Sequence, residues 1–177
     1  MSQSAASNFL YLSTQYTPRL EDLHMATQYW LMKTEPGTYS IDDLAKEKNK
    51  TTCWDGVRNY QARNIMRDQM KKGDRVLVYH SNAKPPGVVG TAKIVKESYV
   101  DHTAFDKKDK HFDPKSNRES PRWFMVDIKL EKKFKRKIPL DELKGTKPLK
   151  DMVLLNNSRL SVQPVTKKEF ETILKMA

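Results

Sequence analysis

Short runs of apolar residues, each bounded by polar or turn-forming residues, recur from residue 29 to the end of the chain. Residues 29–33 predict a buried strand, which ends before Pro36 because proline cannot donate a hydrogen bond to a sheet. Residues 75–79 and 88–95 predict two further strands, separated by a Pro-Pro-Gly turn. Apolar and polar residues alternate over residues 123–130, which predicts the most regular strand.

Two more short strands are predicted near the end of the chain, at residues 152–155 and 160–165. Gly90 lies inside the 88–95 strand, where a glycine indicates a bulge or a close approach of another backbone. Residues 101–122 are polar and contain few apolar positions, so a long surface loop is expected there.

Three helices are predicted from their capping residues and apolar spacing. One begins after Ser40, the longest spans residues 56–72 and ends before Gly73, and the last begins after Thr166, which forms a capping box with Glu169. Five or six short strands do not alternate regularly with two or three helices, so a doubly wound parallel sheet is not expected. The predicted fold is α+β: a mixed or antiparallel β-barrel with flanking helices.

The 177-residue chain carries a net charge of +11 and has a pI of about 9.6, which changes the expected partners. Residues 1–29 are net −1, so the remainder is net +12. Residues 1–26 are predicted to form a flexible extension, and residues 27–177 a single domain. So basic a domain indicates a polyanionic partner such as nucleic acid, while the alternative is a charge that serves solubility only.

Several functional classes find no support in the sequence. No apolar run approaches the roughly 20 residues of a membrane-spanning helix, and the six glycines form neither a dinucleotide-binding nor a P-loop motif. We expect no cofactor and no metal, and we read the single cysteine, Cys53, as a small buried hydrophobe. Catalysis on nucleic acid stays open as an alternative, through His80 or the 101–113 loop.

The segment from Trp54 to Asn64 concentrates the chemistry that nucleic-acid binding requires. Trp54 supplies an aromatic face on which a base can stack, and the amide of Asn59 can read donors and acceptors on a base edge. Arg58 can bind phosphate. A second basic run offers four further phosphate contacts, Lys132, Lys133, Lys135 and Arg136, although lysines also protect exposed strand edges.

These segments resemble the EVE domain family from about residue 28 to the end of the chain. The resemblance rests mainly on YWLMKTEP at 29–36, TTCWDGVRNYQARN at 51–64, YHSN at 79–82, PGVVGTAKIVKE at 86–97 and RLSVQPV at 159–165. It implies a PUA-like β-barrel related to YTH reader domains, with a pocket for a modified base, modified cytosine in DNA being favoured. The pocket residues it implies are Trp30, Lys33, Trp54, Asn59, Tyr60, Arg63, Tyr79, Ser81 and Ser161.

The expected function is therefore a non-catalytic reader of a base that has swung out of its strand. The alternatives are a nucleic-acid-processing enzyme, and a module that binds a small metabolite or another protein. The N-terminal extension is short and net acidic, unlike the long basic tails of animal family members, so nuclear and cytoplasmic locations both remain open. A monomer is expected, and secretion, membrane insertion and mitochondrial import are not.

Overall fold

The computed structural model describes residues 26–177, so the predicted extension lies almost entirely outside the described residues. Six strands are present: β1 (Tyr29–Thr34), β2 (Thr51–Trp54), β3 (Arg75–His80), β4 (Gly87–Val100), β5 (Phe124–Pro139) and β6 (Val162–Val165). Five α-helices accompany them within these residues, besides three short 3-10 turns: α1 (Ile41–Lys46), α2 (Tyr60–Asp68), α3 (Leu140–Gly145), α4 (Val153–Asn156) and α5 (Lys167–Met176). No helix within residues 26–177 is long and apolar enough to cross a membrane.

The six strands form one mixed sheet in the order β2-β5-β4-β3-β1-β6. β1 pairs in parallel with β3, whereas every other neighbouring pair is antiparallel. The α+β class and the flanking helices are confirmed. Backbone pairing among residues 26–177 leaves the sheet open between its edge strands β2 and β6, so the expected barrel is not closed by hydrogen bonds.

Both faces of the sheet are covered because side chains alternate along its strands. In β1, Trp30 and Met32 join one core cluster, which also contains the buried residues of α1 and α2. Leu31 joins the second cluster, beneath α3 and α5. The sheet therefore lies between two layers of helices, each with its own apolar core.

The glycine in β4 has the role expected for it. A Cβ atom on Gly90 would lie 2.4 Å from both the Ile41 Cδ1 atom and the Lys132 carbonyl oxygen. The β4–β5 register also shifts between Val88 and Gly90. The close approach and the bulge are both confirmed, and they let α1 pack directly on the sheet.

One predicted strand is wrong, one observed strand is missing from the prediction, and the main helix is shorter than predicted. Residues 152–155 do not form a strand: Val153–Asn156 is a helical turn, and a four-residue apolar run cannot distinguish the two. The strand Thr51–Trp54 was not predicted because it is short and half polar. The main helix spans only Tyr60–Asp68, with Asn59 as its N-cap, and residues 55–59 form no regular element. The N-cap at Ser40 and the capping box at Thr166 are confirmed, and Ser40 also forms a capping box with Asp43.

Candidate nucleic-acid interface

A cleft of about 820 Å³ opens where β1 and β3 end. Its walls come from residues 33–39, from residues 52–59 at the end of β2 and before α2, from Ser81, and from two loop segments at 109–111 and 158–161. β1 is parallel to β3 and antiparallel to β6, so the residues after β3 and before β6 meet at the end of β1. Sheet topology thus brings together residues that are more than 100 positions apart in sequence.

Trp54 forms the aromatic wall of the cleft. It is the last residue of β2, pairs with Val126 of β5, and is 8% exposed. Its ring also belongs to the core cluster on that face of the sheet, so its orientation is fixed by packing. The neighbouring Cys53 also lines the cleft, and burial together with the Asp55 carboxylate raises the pKa of its thiol to about 11. Cys53 is therefore a neutral, small neighbour at physiological pH.

Asn59 is the N-cap of α2 and also lines the cleft. Its Oδ1 atom accepts a hydrogen bond from the Ala62 N–H group at 2.9 Å. The cap therefore fixes the side chain and orients the amide. Its NH2 group has no partner among residues 26–177 and is free to donate to a ligand.

Lys33 contributes a cation at the end of β1. Its Nζ atom donates to the Ser158 carbonyl at 2.7 Å and lies 5.8 Å from the centre of the Tyr79 ring. Burial lowers the pKa of the Lys33 ammonium group. The charge is therefore partly desolvated, which strengthens its interaction with an acceptor that enters the cleft.

Ser81 and Ser161 lie on either side of β1. Ser81 donates its backbone N–H and its Oγ–H to the Thr34 carbonyl, at 2.8 and 3.2 Å. The Ser161 carbonyl accepts the Lys33 N–H group at 2.9 Å. Both serines line the cleft. The structure thus brings together five of the nine residues predicted for the pocket: Lys33, Trp54, Asn59, Ser81 and Ser161.

The remaining four predicted pocket residues do not line the cleft. Trp30 is in the core, where its indole N–H donates to Asp74 at 2.9 Å. Tyr79 is 3% exposed and supports Lys33 from the second core cluster. Tyr60 and Arg63 lie on the outer face of α2.

A buried ion pair attaches the loop after β4 to the wall of the cleft. The Asp101 carboxylate has no exposed side-chain surface and accepts hydrogen bonds from Gly56 N–H (2.9 Å), Arg58 (2.7 Å) and Thr103 (2.6 and 2.9 Å). Burial alone would raise the pKa of Asp101, but the bonds from Arg58, Thr103 and Gly56 outweigh it and the pKa is lowered. Arg58 also donates to the carbonyls of Val57 and His111.

The five N–H groups of Arg58 therefore all have acceptors inside the protein. This occupancy argues against the phosphate contact predicted at Arg58. Its observed role is to hold the loop that carries His111 against the segment between β2 and α2.

His111 closes this side of the cleft. Its ring lies over Gly56, where an added Cβ atom would come within 2.4 Å of the His111 Cε1 atom. Gly56 also has a positive φ of 72°, a conformation that favours glycine. The His111 Nδ1 atom is 3.2 Å from the Asp109 carboxylate. Nothing in the local sequence around Gly56 pointed to a partner 55 residues further along the chain.

The predicted basic run lies on β5, away from the residues that line the cleft. Lys133 forms an ion pair with Asp42, and Arg136 binds both oxygens of Glu142 at 2.7 Å. Lys132 lies 6.0 Å from the Phe134 ring, and Lys135 is exposed. The cations that line the cleft itself are instead Lys33, Arg58, Lys110 and Arg159.

His80, one candidate for catalysis, makes a hydrogen bond that belongs to the fold. His80 is 8% exposed, and its Nε2 atom accepts a hydrogen bond from the Ile41 N–H group at 3.0 Å. Burial, followed by the charge of Lys137, lowers the pKa of His80, so its ring is neutral and completes the start of α1. No group of three or more His, Cys, Asp or Glu side chains that could hold a metal occurs within the part of the chain that the structure describes.

A mixed six-stranded sheet with helices on both faces and a polar–aromatic cleft at one end defines a PUA-like α+β domain. The EVE domain model matches residues 28–176, so the chain belongs to the EVE domain family. Thymocyte nuclear protein 1 of Danio rerio is 52% identical over 164 residues, which cover 83% of this chain and 71% of the relative.

Solved structures agree with this assignment. A hypothetical protein from Leishmania major superposes with a TM-score of 0.82 at 51% identity, covering 89% of this chain and 96% of that chain. The human THYN1 protein, solved in complex with 5-methylcytosine containing DNA, gives a TM-score of 0.81 at 48% identity, covering 85% and 97%. A Zygosaccharomyces rouxii YTH domain, at 17% identity and a TM-score of 0.50, shows a shared fold alone.

Proposed function

We propose that this protein binds DNA and reads a modified cytosine that has swung out of its strand into the cleft. One observation carries the proposal. The cleft is lined by Trp54 together with donors and acceptors that have free hydrogen-bonding capacity, in a domain that is 48% identical to a human protein solved with 5-methylcytosine DNA. The cleft volume of about 820 Å³ lies within the range of roughly 300–1,000 Å³ that is typical of small-molecule sites.

The polar groups of the cleft suit the edge of cytosine. Cytosine presents one amino donor and two acceptors, its N3 and O2 atoms. The Asp55 carboxylate, whose one hydrogen-bond partner among residues 26–177 is the weak Cys53 thiol donor at 3.7 Å, can accept from the amino group. The Asn59 NH2 group and the Lys33 ammonium group can donate to the two acceptors.

Stacking and charge supply the remaining binding energy. A base stacked on an aromatic side chain gains about 1–3 kcal/mol, with little regard to sequence. Lys110 and Arg159 line the cleft on two separate loops. We propose that they bind the phosphates next to the extruded nucleotide. The positive surface continues along β5, where four basic residues would contact phosphates further from the extruded base: Lys132, Lys133, Lys135 and Arg136.

The proposed activity is binding rather than catalysis. The His80 Nε2 atom is already an acceptor in the fold, and the high pKa of Cys53 keeps its thiol protonated, so neither is poised as a base or nucleophile. We propose that the protein acts as a monomer. The relatives are named as nuclear proteins, so we propose the nucleus as the site of action, with the cytoplasm as the alternative.

The proposal is tested by comparing oligonucleotides that differ in one base. The purified chain is titrated with DNA carrying a single cytosine, 5-methylcytosine or 5-hydroxymethylcytosine, and with RNA carrying N6-methyladenine, at about 50 and about 200 mM salt. Phosphate contacts weaken with salt for all sequences alike. The expected result is a preference for one modified cytosine whose ratio to plain cytosine persists at the higher salt.

A uniform affinity that falls steeply with salt and shows no preference would contradict base reading. A modified nucleoside that binds while no oligonucleotide does would favour the small-metabolite alternative. Cleavage of the strand would favour the enzyme alternative, and its loss in His111→Ala would assign it to the 101–113 loop.

A further inference from the structure

Tyr60 is an exposed aromatic side chain outside the cleft. It is 47% exposed, although it begins α2 and has a large apolar ring. Its ring stacks on Trp123 with 5.0 Å between ring centres and 25° between planes, and Trp123 is itself held by a 2.7 Å hydrogen bond to Asp113. Arg122 also donates to the Tyr60 hydroxyl. An exposed aromatic ring that is fixed in place on two sides can accept a stacking partner without a further loss of rotamer freedom.

Arginines surround this ring. Arg63 and Arg122 lie 5.0 and 5.6 Å from its centre. Tyr60, Arg63 and Arg67 are spaced i, i+3 and i+7 and therefore share one face of α2, while Ala62, Ile65 and Met66 form the buried face.

Like charges at i and i+4, as at Arg63 and Arg67, destabilise an isolated helix. Arg67 is paired with Asp68, but no carboxylate within residues 26–177 forms an ion pair with Arg63. The face is thus short of negative charge, which a phosphate backbone would supply.

The aromatic–arginine face adjoins the cleft. Asn59 lines the cleft, and Tyr60 follows it directly, so their Cα atoms are about 3.8 Å apart. Trp123 connects the two regions, because the Arg58 guanidinium that lines the cleft lies 5.2 Å from the centre of the Trp123 ring. A strand that delivers one base into the cleft beside Asn59 can therefore bring a neighbouring base within reach of Tyr60.

We propose that Tyr60 binds a second base of the same strand, adjacent to the base in the cleft, with the connecting phosphates on Arg63 and Arg67. This inference rests on the proposed function and deepens it, since it extends the site from one nucleotide to at least two. Stacking on Tyr60 is indifferent to the modification, so it contributes affinity without selectivity.

The test separates the two sites by the length of the ligand. Tyr60→Ala should weaken binding of a single-stranded oligonucleotide with one modified cytosine by about tenfold. It should leave binding of the modified mononucleotide unchanged, and it should preserve the ratio between modified and plain oligonucleotides. Tyr60→Phe should keep most of the affinity. Gln61→Ala, an exposed change on the same turn of α2, is the matched control and should change nothing.

A fluorescent base reports the contact directly. With 2-aminopurine next to the modified cytosine, the wild-type protein should quench the fluorescence and Tyr60→Ala should not. Unchanged oligonucleotide affinity in Tyr60→Ala, or an equal loss for the mononucleotide, would overturn the second site. A wild-type protein without preference for any modified base would overturn the proposed function, while quenching that depends on Tyr60 would still support the stacking site.

Discussion

The Asp101 ion pair offers the sharpest test of how the cleft is held together. Asp101→Asn keeps the size and shape of the side chain but removes its charge, and it replaces an acceptor oxygen by a donor NH2 group. In the structure, that carboxylate is fully buried and accepts four hydrogen bonds, one of them from Arg58 at 2.7 Å. The new NH2 group must therefore face other donor groups, either those of Arg58 and Gly56 or those of Thr103.

Breaking a buried ion pair by removing one partner costs about 3–5 kcal/mol. A loss of that size is a large part of the 5–15 kcal/mol by which domains of this kind are usually stable. We therefore expect Asp101→Asn to lower the free energy of unfolding by about 3–5 kcal/mol in urea titrations at neutral pH. Asp68→Asn is the matched control, because it breaks an exposed pair of the same 2.7 Å length, and we expect little change.

The dependence on pH gives the same prediction a second readout. The pKa of Asp101 is lowered in the folded state, so its contribution is fully present above its unfolded pKa of about 3.9 and is lost as the pH falls through the lower folded value. The difference between wild type and Asp101→Asn should therefore be constant at neutral pH and shrink below about pH 4. A difference under about 1 kcal/mol at neutral pH would refute the role assigned to this pair.

Local contacts at Gly56, Cys53 and His80 can be tested in the same way. Gly56→Ala should lower the free energy of unfolding by more than the roughly 1–2 kcal/mol expected for a left-handed residue, because its Cβ atom meets the His111 ring. Gly73→Ala, at φ 98° in open space, measures the backbone cost alone, and adding His111→Ala to Gly56→Ala should recover the excess in urea titrations. Because the pKa of Cys53 is raised to about 11, the rate of its alkylation by iodoacetamide near pH 8 should be about 100-fold lower in the folded than in the unfolded chain. That rate should increase with pH until about pH 11, and a plateau near pH 9 would contradict the raised pKa. The pKa of His80 is lowered, so its contribution to stability is fully present above about pH 6.5 and is lost as the pH falls through its pKa in the folded state. His80→Gln should therefore make the unfolding free energy less dependent on pH on the acid side, and an unchanged dependence would contradict the neutral, buried ring.

Elements that depend on interactions between residues close together in the sequence could be predicted from the sequence alone. The N-cap at Ser40 and the capping box at Thr166 depend on spacing within a few residues, and the structure confirms them. Gly90 is recognisable from its residue type alone, although the atoms that approach it belong to Ile41 and Lys132. Residues 152–155 failed because Met152 and Leu154 are buried in alternation, as in a strand, although the backbone turns as a helix there. The edge strand at residues 51–54 has too little apolar pattern to be detected.

The residues of the candidate site differ in the same way: some are recognisable from a local segment, and others only from long-range contacts. Trp54 and Asn59 could be selected from one unusual segment, since their chemistry is visible in the sequence. Asp101 and His111 could not, because their roles depend on contacts with Gly56 and Arg58 some 43–55 residues away. Arg58 illustrates the opposite case: its charge predicts a phosphate contact, whereas the fold reveals that each of its N–H groups already has an acceptor.

The central claim is that a modified cytosine enters the cleft beside Trp54, and nuclear magnetic resonance can test it directly. An oligonucleotide whose 5-methylcytosine carries carbon-13 in the methyl group is mixed with the protein, and isotope-filtered Overhauser contacts from that methyl group are recorded. Contacts to the Trp54 ring and to cleft residues such as Asn59 or Ser161, with a ring-current shift that is absent for the free strand, are the result that the structure predicts. A methyl group that contacts no cleft residue, or that contacts only the outer face at Tyr60 and Trp123, would contradict it.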